Sequence, residues 1–178
     1  MIIWLTGLSG AGKSTIANAL LGKLRTTNRN VVLLDGDVIR ALYGNSLCYR
    51  EQDRIVQVNR LQALAGFLAS EGNIVIVTVL YSSPKLLAWN RKNLPSYFEI
   101  YVDASIELVK KRDVKGIYAK FDAGEMSDVV GLDVPWYAPE KPDLHIVVDK
   151  LESPQQAVGQ ILAACPKLLE PNSVSEPT

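Results

Sequence analysis

Eight residues near the N-terminus combine a flexible backbone with a cation and a hydroxyl group. They run from Gly7 to Ser14 as Gly-Leu-Ser-Gly-Ala-Gly-Lys-Ser, between an apolar run and a helical pattern. Glycines let successive backbone N–H groups turn towards one anion, and a helix N-terminus favours the same anion. The spacing matches G-x-x-x-x-G-K-[ST], in which the lysine reaches the β- and γ-phosphates and the hydroxyl ligates Mg²⁺. The motif predicts an ATP and Mg²⁺ site whose ATP contacts are Gly7, Ser9, Gly10, Ala11, Gly12, Lys13, Ser14 and Thr15.

Two carboxylates follow the second apolar run, in the sequence Asp35-Gly36-Asp37. At the end of a strand they would face the phosphates, where carboxylates can support Mg²⁺ and accept the proton of an acceptor hydroxyl. We therefore predict that Ser14 and Asp35 serve the metal and that both aspartates, with Lys13, are catalytic. The alternative is a turn in which an aspartate caps a helix starting near Val38, and that role is compatible with catalysis. No N-K-x-D guanine motif is present, which argues against a GTPase.

Five short apolar runs rich in Val and Ile alternate with helical patterns, which predicts an α/β fold. The runs cover residues 2–5, 31–34, 74–80, 100–102 and 144–148. Because they are continuous rather than alternating, they indicate strands covered on both faces. The order predicts a P-loop NTPase fold, with a parallel sheet of about five strands flanked by helices and ligands at the strands' carboxyl ends. Helices are predicted after the glycine loop and over residues 55–68, 86–92, 106–111 and 154–164, with Ser105 as one N-cap.

The composition predicts one domain and narrows the range of partners. The chain has 178 residues with 19 basic and 19 acidic side chains, so a nucleic-acid or anionic-membrane partner has no electrostatic support. Cys48 and Cys165 lack metal-type spacing, and we interpret them as reduced thiols of a cytoplasmic protein. The N-terminus has no signal-type stretch, and the longest apolar run is too short to span a bilayer.

One long segment, residues 113–140, interrupts the alternation of strands and helices. It contains charges, three glycines and two prolines, but no sustained hydrophobic period. A segment of this length inside a compact domain is usually a functional lid or is disordered, and we predict a lid. Residues 170–178 are polar and are predicted to be a disordered tail, which leaves residues 1–169 as a single kinase domain.

With these motifs, the sequence resembles the adenylylsulfate (APS) kinase family, whose members phosphorylate the 3′-hydroxyl of adenosine 5′-phosphosulfate. The similarity covers nearly the whole chain to about residue 148 and is more specific than the phosphate loop alone. The matching motifs are Trp4–Thr15, Leu34-Asp35-Gly36-Asp37-x-x-Arg40, Asp53-Arg54, Arg112-Asp113-x-Lys115-Gly116-x-Tyr118, Gly124-Glu125, Gly131-x-Asp133-x-Pro135 and Ala138-Pro139-x-x-Pro142. The resemblance implies an ATP-dependent kinase and a homodimer.

The resemblance also implies roles for individual cations. Asp37 becomes the preferred base, and Arg40 and Arg54 would contact the phosphate of the acceptor nucleotide, since a guanidinium can bind two oxygens at once. Lys115 and Lys120 would close over the transferring phosphate, with Lys115 catalytic. Arg112 would lie beside the base or phosphates of ATP.

The departures from the family pattern concern the acceptor half of the site. Gln57 replaces an asparagine, and the loop that contains Ser82 and Ser83 replaces an Ile-Ser-Pro loop, so these three residues are assigned to the acceptor site. Val129 stands where the family has an aromatic ring that stacks on adenine, a contact worth about 1–3 kcal/mol. These changes leave open another acceptor, such as the cytidine diphosphoramidate used by a divergent branch. A non-catalytic nucleotide-binding module is the remaining alternative, although Lys13, Ser14 and the carboxylates are all present.

Overall fold

Five parallel strands form the centre of the computed structural model, which describes residues 1–27, 30–44 and 47–170. The strand order is β2-β3-β1-β4-β5. The strands are β1 (Ile2–Thr6), β2 (Val31–Asp35), β3 (Ile74–Val79), β4 (Tyr97–Asp103) and β5 (Leu144–Val147). All pairings are parallel, which confirms the predicted sheet. Strand β4 starts three residues earlier than predicted because polar Glu99 interrupts its apolar pattern while remaining only 3% exposed.

Seven α-helices flank the sheet in the described part of the chain. They are α1 (Lys13–Arg25), α2 (Gly36–Leu42), α3 (Glu51–Ser70), α4 (Pro84–Asn93), α5 (Ile106–Arg112), α6 (Ile117–Asp122) and α7 (Pro154–Ala164). The predicted N-cap is confirmed, because the Ser105 side chain accepts a hydrogen bond from the backbone N–H of Leu108. No described helix is long and apolar enough to cross a membrane.

Two apolar clusters cover opposite faces of the sheet. One contains Leu20, Ile76 and Ile100, and the other contains Leu61 and Val77. The first residue beyond β1 must be glycine, because a Cβ at Gly7 would lie 2.2 Å from the carbonyl oxygen of Val102. The phosphate loop therefore begins in close contact with the end of a neighbouring strand.

The segment 113–140 is more structured than its sequence predicts. It contains helix α6 and an isolated bridge between Val130 and Val134. Tyr118, Val129 and Val130 are buried in the apolar clusters, at 2%, 5% and 2% exposure. Six helical residues are too few to show a hydrophobic period, which explains why the sequence did not reveal α6. Of the predicted tail, residues 171–178 lie outside the described residues.

Candidate active site

A cleft of about 530 Å³ opens where the phosphate loop, the ends of β2 and β3 and the segment after β5 come together. Such a position, at the carboxyl ends of parallel strands, is where ligands bind in open α/β sheets. Most of the predicted site residues line it. They are Ser9, Gly10, Ala11, Gly12, Lys13, Ser14, Thr15, Asp37, Arg40, Arg54, Gln57, Arg112 and Lys115.

The phosphate loop is held in its curved shape by positive backbone angles and by Lys13. Gly10 and Gly12 have φ values of 79° and 95°, which favour glycine because a Cβ is strained there. The Lys13 ammonium donates hydrogen bonds to the carbonyl oxygens of Gly7 and Leu8, both at 2.8 Å. Gly7 itself does not line the cleft, and its contact with the site is the hydrogen bond that its carbonyl oxygen accepts from Lys13.

The environment of the Lys13 ammonium disfavours its positive charge. Burial is the main cause, and with the nearby charge of Lys115 it lowers the pKa of Lys13 to about 8, although the carboxylates of Asp37 and Asp35 act in the opposite direction. A triphosphate would restore negative charge around this ammonium, so the site is electrostatically suited to an anion.

Asp35 is fixed by four hydrogen bonds. Its Oδ2 accepts from the hydroxyls of Ser14 at 2.5 Å and Thr78 at 2.9 Å. Its Oδ1 caps α2 by accepting from the backbone N–H groups of Asp37 at 3.0 Å and Val38 at 3.4 Å. Burial alone would raise the pKa of Asp35, but these hydrogen bonds outweigh it and hold the pKa below its ordinary value. Asp35 is therefore an ionised, rigid group beside Ser14, and its N-cap role coexists with its place in the site.

Asp37 has a different environment from Asp35. Its carboxylate forms an ion pair with Lys115 from the segment 113–140, and the two side chains are 69% and 50% exposed. The intervening Gly36 is required by close packing, because a Cβ there would lie 2.7 Å from the carbonyl oxygen of Thr78. Asp37 thus lines the cleft and accepts fewer internal hydrogen bonds than Asp35.

Two arginines line the cleft and donate hydrogen bonds to backbone carbonyl groups. Arg40 donates to the carbonyl oxygen of Cys48 at 3.1 Å, and Arg54 donates to the carbonyl oxygens of Tyr49 at 2.7 Å and Asp128 at 2.5 Å. Among the described residues neither guanidinium has a carboxylate within ion-pair distance. Positive charges without a carboxylate partner in a cleft indicate an anionic ligand.

The side chain of Gln57 is oriented by its amide nitrogen. Nε2 donates to the carbonyl oxygen of Gly36 at 3.1 Å, while Oε1 is buried without a partner among the described residues. Gln57 is thus joined to the backbone between the two aspartates, as its assignment to the site requires.

Four residues assigned to the acceptor from the sequence do not line the cleft. Ser82 is 2% exposed and donates to the carbonyl oxygen of Tyr137, and Ser83 caps helix α4. Lys120 is exposed on α6, away from the cleft lining. Val129 packs in an apolar cluster because the Asp133 carboxylate binds the two N–H groups at residues 128 and 129 and fixes the turn. These four residues lie outside the cleft lining, and their assignment to the acceptor stays a prediction.

Sequence reasoning missed several residues that the structure brings to the site. Tyr49 lines the cleft with its ring near two guanidinium carbons, at 5.1 Å from that of Arg40 and 5.6 Å from that of Arg54. Tyr81 also lines the cleft, and its hydroxyl donates to Glu51 at 2.6 Å. Thr78 was detectable as the one hydroxyl residue in an apolar strand. Tyr49 and Tyr81 had no signal of their own in the sequence.

The comparison with protein families decides the relationship. The family model described as adenylylsulphate kinase matches residues 1–147. The chain belongs to the adenylylsulphate kinase family. The members of this family are phosphotransferases that act on a hydroxyl group, so this chain is a kinase.

Individual relatives agree with this membership. The adenylyl-sulfate kinase of Deinococcus deserti is 43% identical over 165 residues, which covers 90% of this chain and 88% of that protein. The cytidine diphosphoramidate kinase of Campylobacter jejuni is 38% identical over 148 residues, covering 83% and 85%. The APS kinase of Mycobacterium tuberculosis, solved with AMPPNP and APS, has a TM-score of 0.86 at 30% identity, covering 93% of this chain and 96% of that one.

Proposed function

We propose that this kinase transfers the γ-phosphoryl group of ATP to the ribose 3′-hydroxyl of adenylylsulfate. The observation that carries the proposal is one cleft lined by the phosphate loop, Asp37 and two arginines that form no ion pair among the described residues. A donor triphosphate fits the loop, and an acceptor bearing phosphate and sulfate fits the arginines. The Mycobacterium tuberculosis relative binds AMPPNP and APS together, which supports the same pair of ligands here.

The residues divide the reaction between them. Asp37 accepts the proton of the acceptor hydroxyl, and Arg40 and Arg54 orient the acceptor's anionic groups. Lys13 and Lys115 stabilise the negative charge that spreads over the transferring group in the transition state. Tyr49 offers a ring on which a nucleobase can stack. Lys115 must exchange its contact with Asp37 for the transferring phosphate.

The residues near the loop also suit a magnesium ion. Ser14 Oγ and Asp35 Oδ2 lie 2.5 Å apart, and Mg²⁺ is commonly held by one or two such hard oxygen ligands with water and phosphate completing the shell. When bound, Mg²⁺ supplies charge neutralisation to the β- and γ-phosphates. The Ser14 hydroxyl would bind the ion directly, and the Asp35 carboxylate would hold it through a bound water molecule.

Cytidine diphosphoramidate is the second candidate acceptor. The relative from Campylobacter jejuni is named for that activity. In addition, Val129 lies in the apolar core and offers no ring to an acceptor base. The arginines suit either acceptor because both carry phosphate oxygens.

The two acceptors are distinguished by measuring kcat/KM for each in an ADP-release assay with saturating Mg²⁺ and ATP. We expect adenylylsulfate to be preferred by at least about tenfold, which corresponds to one good stacking or hydrogen-bonding contact. Preference for cytidine diphosphoramidate would overturn the acceptor assignment and leave the kinase chemistry in place.

Residues 113–140 act as a lid that closes over both nucleotides. Lys115 reaches Asp37 across the cleft from this segment, and Arg54 bonds to the carbonyl oxygen of Asp128 within it. Closure excludes water and prevents loss of the phosphoryl group by hydrolysis.

Trypsin tests the lid, since Lys115 and Lys120 are both exposed. AMPPNP with adenylylsulfate should slow cleavage at these two lysines several-fold, because an opened segment is the form that is cut. Cleavage at Lys167, which is exposed outside the segment, is the internal control. Equal cleavage rates at Lys115 with and without both ligands would rule out a lid.

A homodimer follows from the family resemblance. A structural relative from Thiobacillus denitrificans is described as a hexameric APS kinase, and it has a TM-score of 0.68 at 26% identity, although this chain spans only 28% of it. Sedimentation velocity of the purified protein measures the assembly directly, and a monomer at all concentrations would contradict the dimer.

A further inference from the structure

The first four carbonyl groups of the phosphate loop, those of residues 7–10, each accept a hydrogen bond from a side chain. When a loop turns its N–H groups towards a phosphate, its C=O groups turn away and need partners of their own. Lys13 serves the carbonyls of Gly7 and Leu8. The Tyr118 hydroxyl donates to Ser9 O at 2.9 Å, and Arg112 Nη1 donates to Gly10 O at 3.3 Å. Two of these three side-chain donors therefore come from residues 112–118, more than a hundred positions away in the sequence.

Tyr118 is the most firmly placed of these donors. Its side chain is 2% exposed and packs in the same apolar cluster as Ala11 and Val109. Its backbone N–H is bound by the Asp113 carboxylate at 3.1 Å, which fixes the start of α6. Burial, with the charge of Asp113, raises the pKa of Tyr118 to about 12, so the hydroxyl keeps its proton and remains a donor.

The other two donors are less constant. Lys13 must leave the Gly7 and Leu8 carbonyls when it moves to the phosphates of a bound nucleotide. Arg112 is exposed, and its hydrogen bond is longer than that of Tyr118. Tyr118 is thus the one buried side chain among the three donors, and nucleotide binding does not require it to leave the loop.

We propose that Tyr118 is a positioning residue for the donor nucleotide. Its hydroxyl holds the carbonyl of Ser9 outward, so the N–H of Gly10, which belongs to the same planar peptide unit, stays turned towards the phosphates. Tyr118 contacts the loop and does not line the cleft, so removing its hydroxyl should change the affinity for the donor nucleotide. The inference rests on the proposed function only in that the loop binds the donor, and it does not depend on the acceptor.

The test is the affinity of the Tyr118→Phe protein for AMPPNP with Mg²⁺, measured by calorimetry. One hydrogen bond is lost while the ring keeps its packing, so the Kd for AMPPNP should rise about fivefold. The KM for ATP should rise by the same factor. The KM for the acceptor and kcat at saturating ATP should change less than about twofold, since the loss affects ground-state and transition-state binding of the donor alike.

Tyr101→Phe is the matched control. The Tyr101 hydroxyl donates to Asp103 at 2.9 Å, and Tyr101 does not line the cleft. This variant should bind AMPPNP as the wild type does. Thermal unfolding of both variants identifies any general loss of structure.

Two outcomes would overturn the proposal. One is a folded Tyr118→Phe protein with wild-type affinity for AMPPNP, and the other is an equal rise in the constants for donor and acceptor. If Tyr118→Phe does not fold, NMR of the wild type provides the test. The Tyr118 hydroxyl proton should be observable in slow exchange with water both with and without AMPPNP, and its disappearance on addition of AMPPNP would contradict a carbonyl group held by this hydroxyl. Failure of the wild type to use adenylylsulfate would refute the acceptor assignment alone, because AMPPNP binding is measured without acceptor.

Discussion

Replacing Lys13 by alanine is expected to lower kcat by about a hundredfold or more. The ammonium lies in the curve of the phosphate loop, held by two carbonyl oxygens at 2.8 Å. In the transition state it would stabilise charge on the transferring group, and the loss of one such preorganised donor costs roughly 3 kcal/mol, or about a hundredfold in rate. The measurement is ADP release at saturating ATP, Mg²⁺ and acceptor.

The control for this prediction is Lys23→Ala. Lys23 is an exposed lysine on the last turn of the same helix, so it removes an equal charge without touching the loop. Its turnover should match that of the wild type. A folded Lys13→Ala protein with near-normal kcat would contradict the donor-site assignment.

The second large effect is expected for Asp37→Asn, which should abolish measurable turnover while changing the AMPPNP affinity by less than about threefold. An amide has almost the same shape as the carboxylate but cannot accept the hydroxyl proton, so it removes the base selectively. The ion pair lost with Lys115 is exposed on both sides, and such pairs contribute little to stability. The folded state should therefore be unaffected.

Asp35→Asn is expected to behave differently. Asp35 uses both oxygens in four internal hydrogen bonds, so its replacement should weaken the response of nucleotide binding to Mg²⁺. Asp122→Asn is the control for Asp37→Asn. Asp122 forms a comparable surface ion pair, with Lys110 at 3.0 Å, but it does not line the cleft, so this variant should keep its activity. Retained turnover in Asp37→Asn, with loss in Asp35→Asn, would exchange the two roles.

The sheet and the phosphate loop could be predicted because their signals are local. Continuous runs of Val and Ile mark buried parallel strands, and the glycine spacing of residues 7–14 is required by backbone geometry alone. The N-cap at Ser105 follows from residue type in the same way and is confirmed, whereas α2 begins at Gly36, two residues before its predicted start, with Asp35 as its cap. The family resemblance then assigned distant residues such as Arg54 and Lys115 to the same site, and both line the cleft.

The direction of individual side chains in the segment 113–140 could not be predicted. The resemblance places Val129 at the position where the family has an aromatic ring. The direction of its side chain depends on a turn in which Asp128 has a φ of 62° and donates its backbone N–H to the Asp133 carboxylate. The hydrogen bond from Tyr118 to Ser9 joins residues 109 positions apart. Such contacts exist only after the helices have packed, and no spacing in the sequence encodes them.

The transfer reaction itself tests the central claim most directly. The purified protein is incubated with Mg²⁺, adenylylsulfate and ATP that carries a labelled γ-phosphoryl group, and the products are separated. We predict that the label appears on the ribose 3′-hydroxyl of adenylylsulfate in an amount equal to the ADP formed, and that ADP formation requires the acceptor. Release of the label as inorganic phosphate at the same rate with and without acceptor would contradict a kinase acting on this nucleotide.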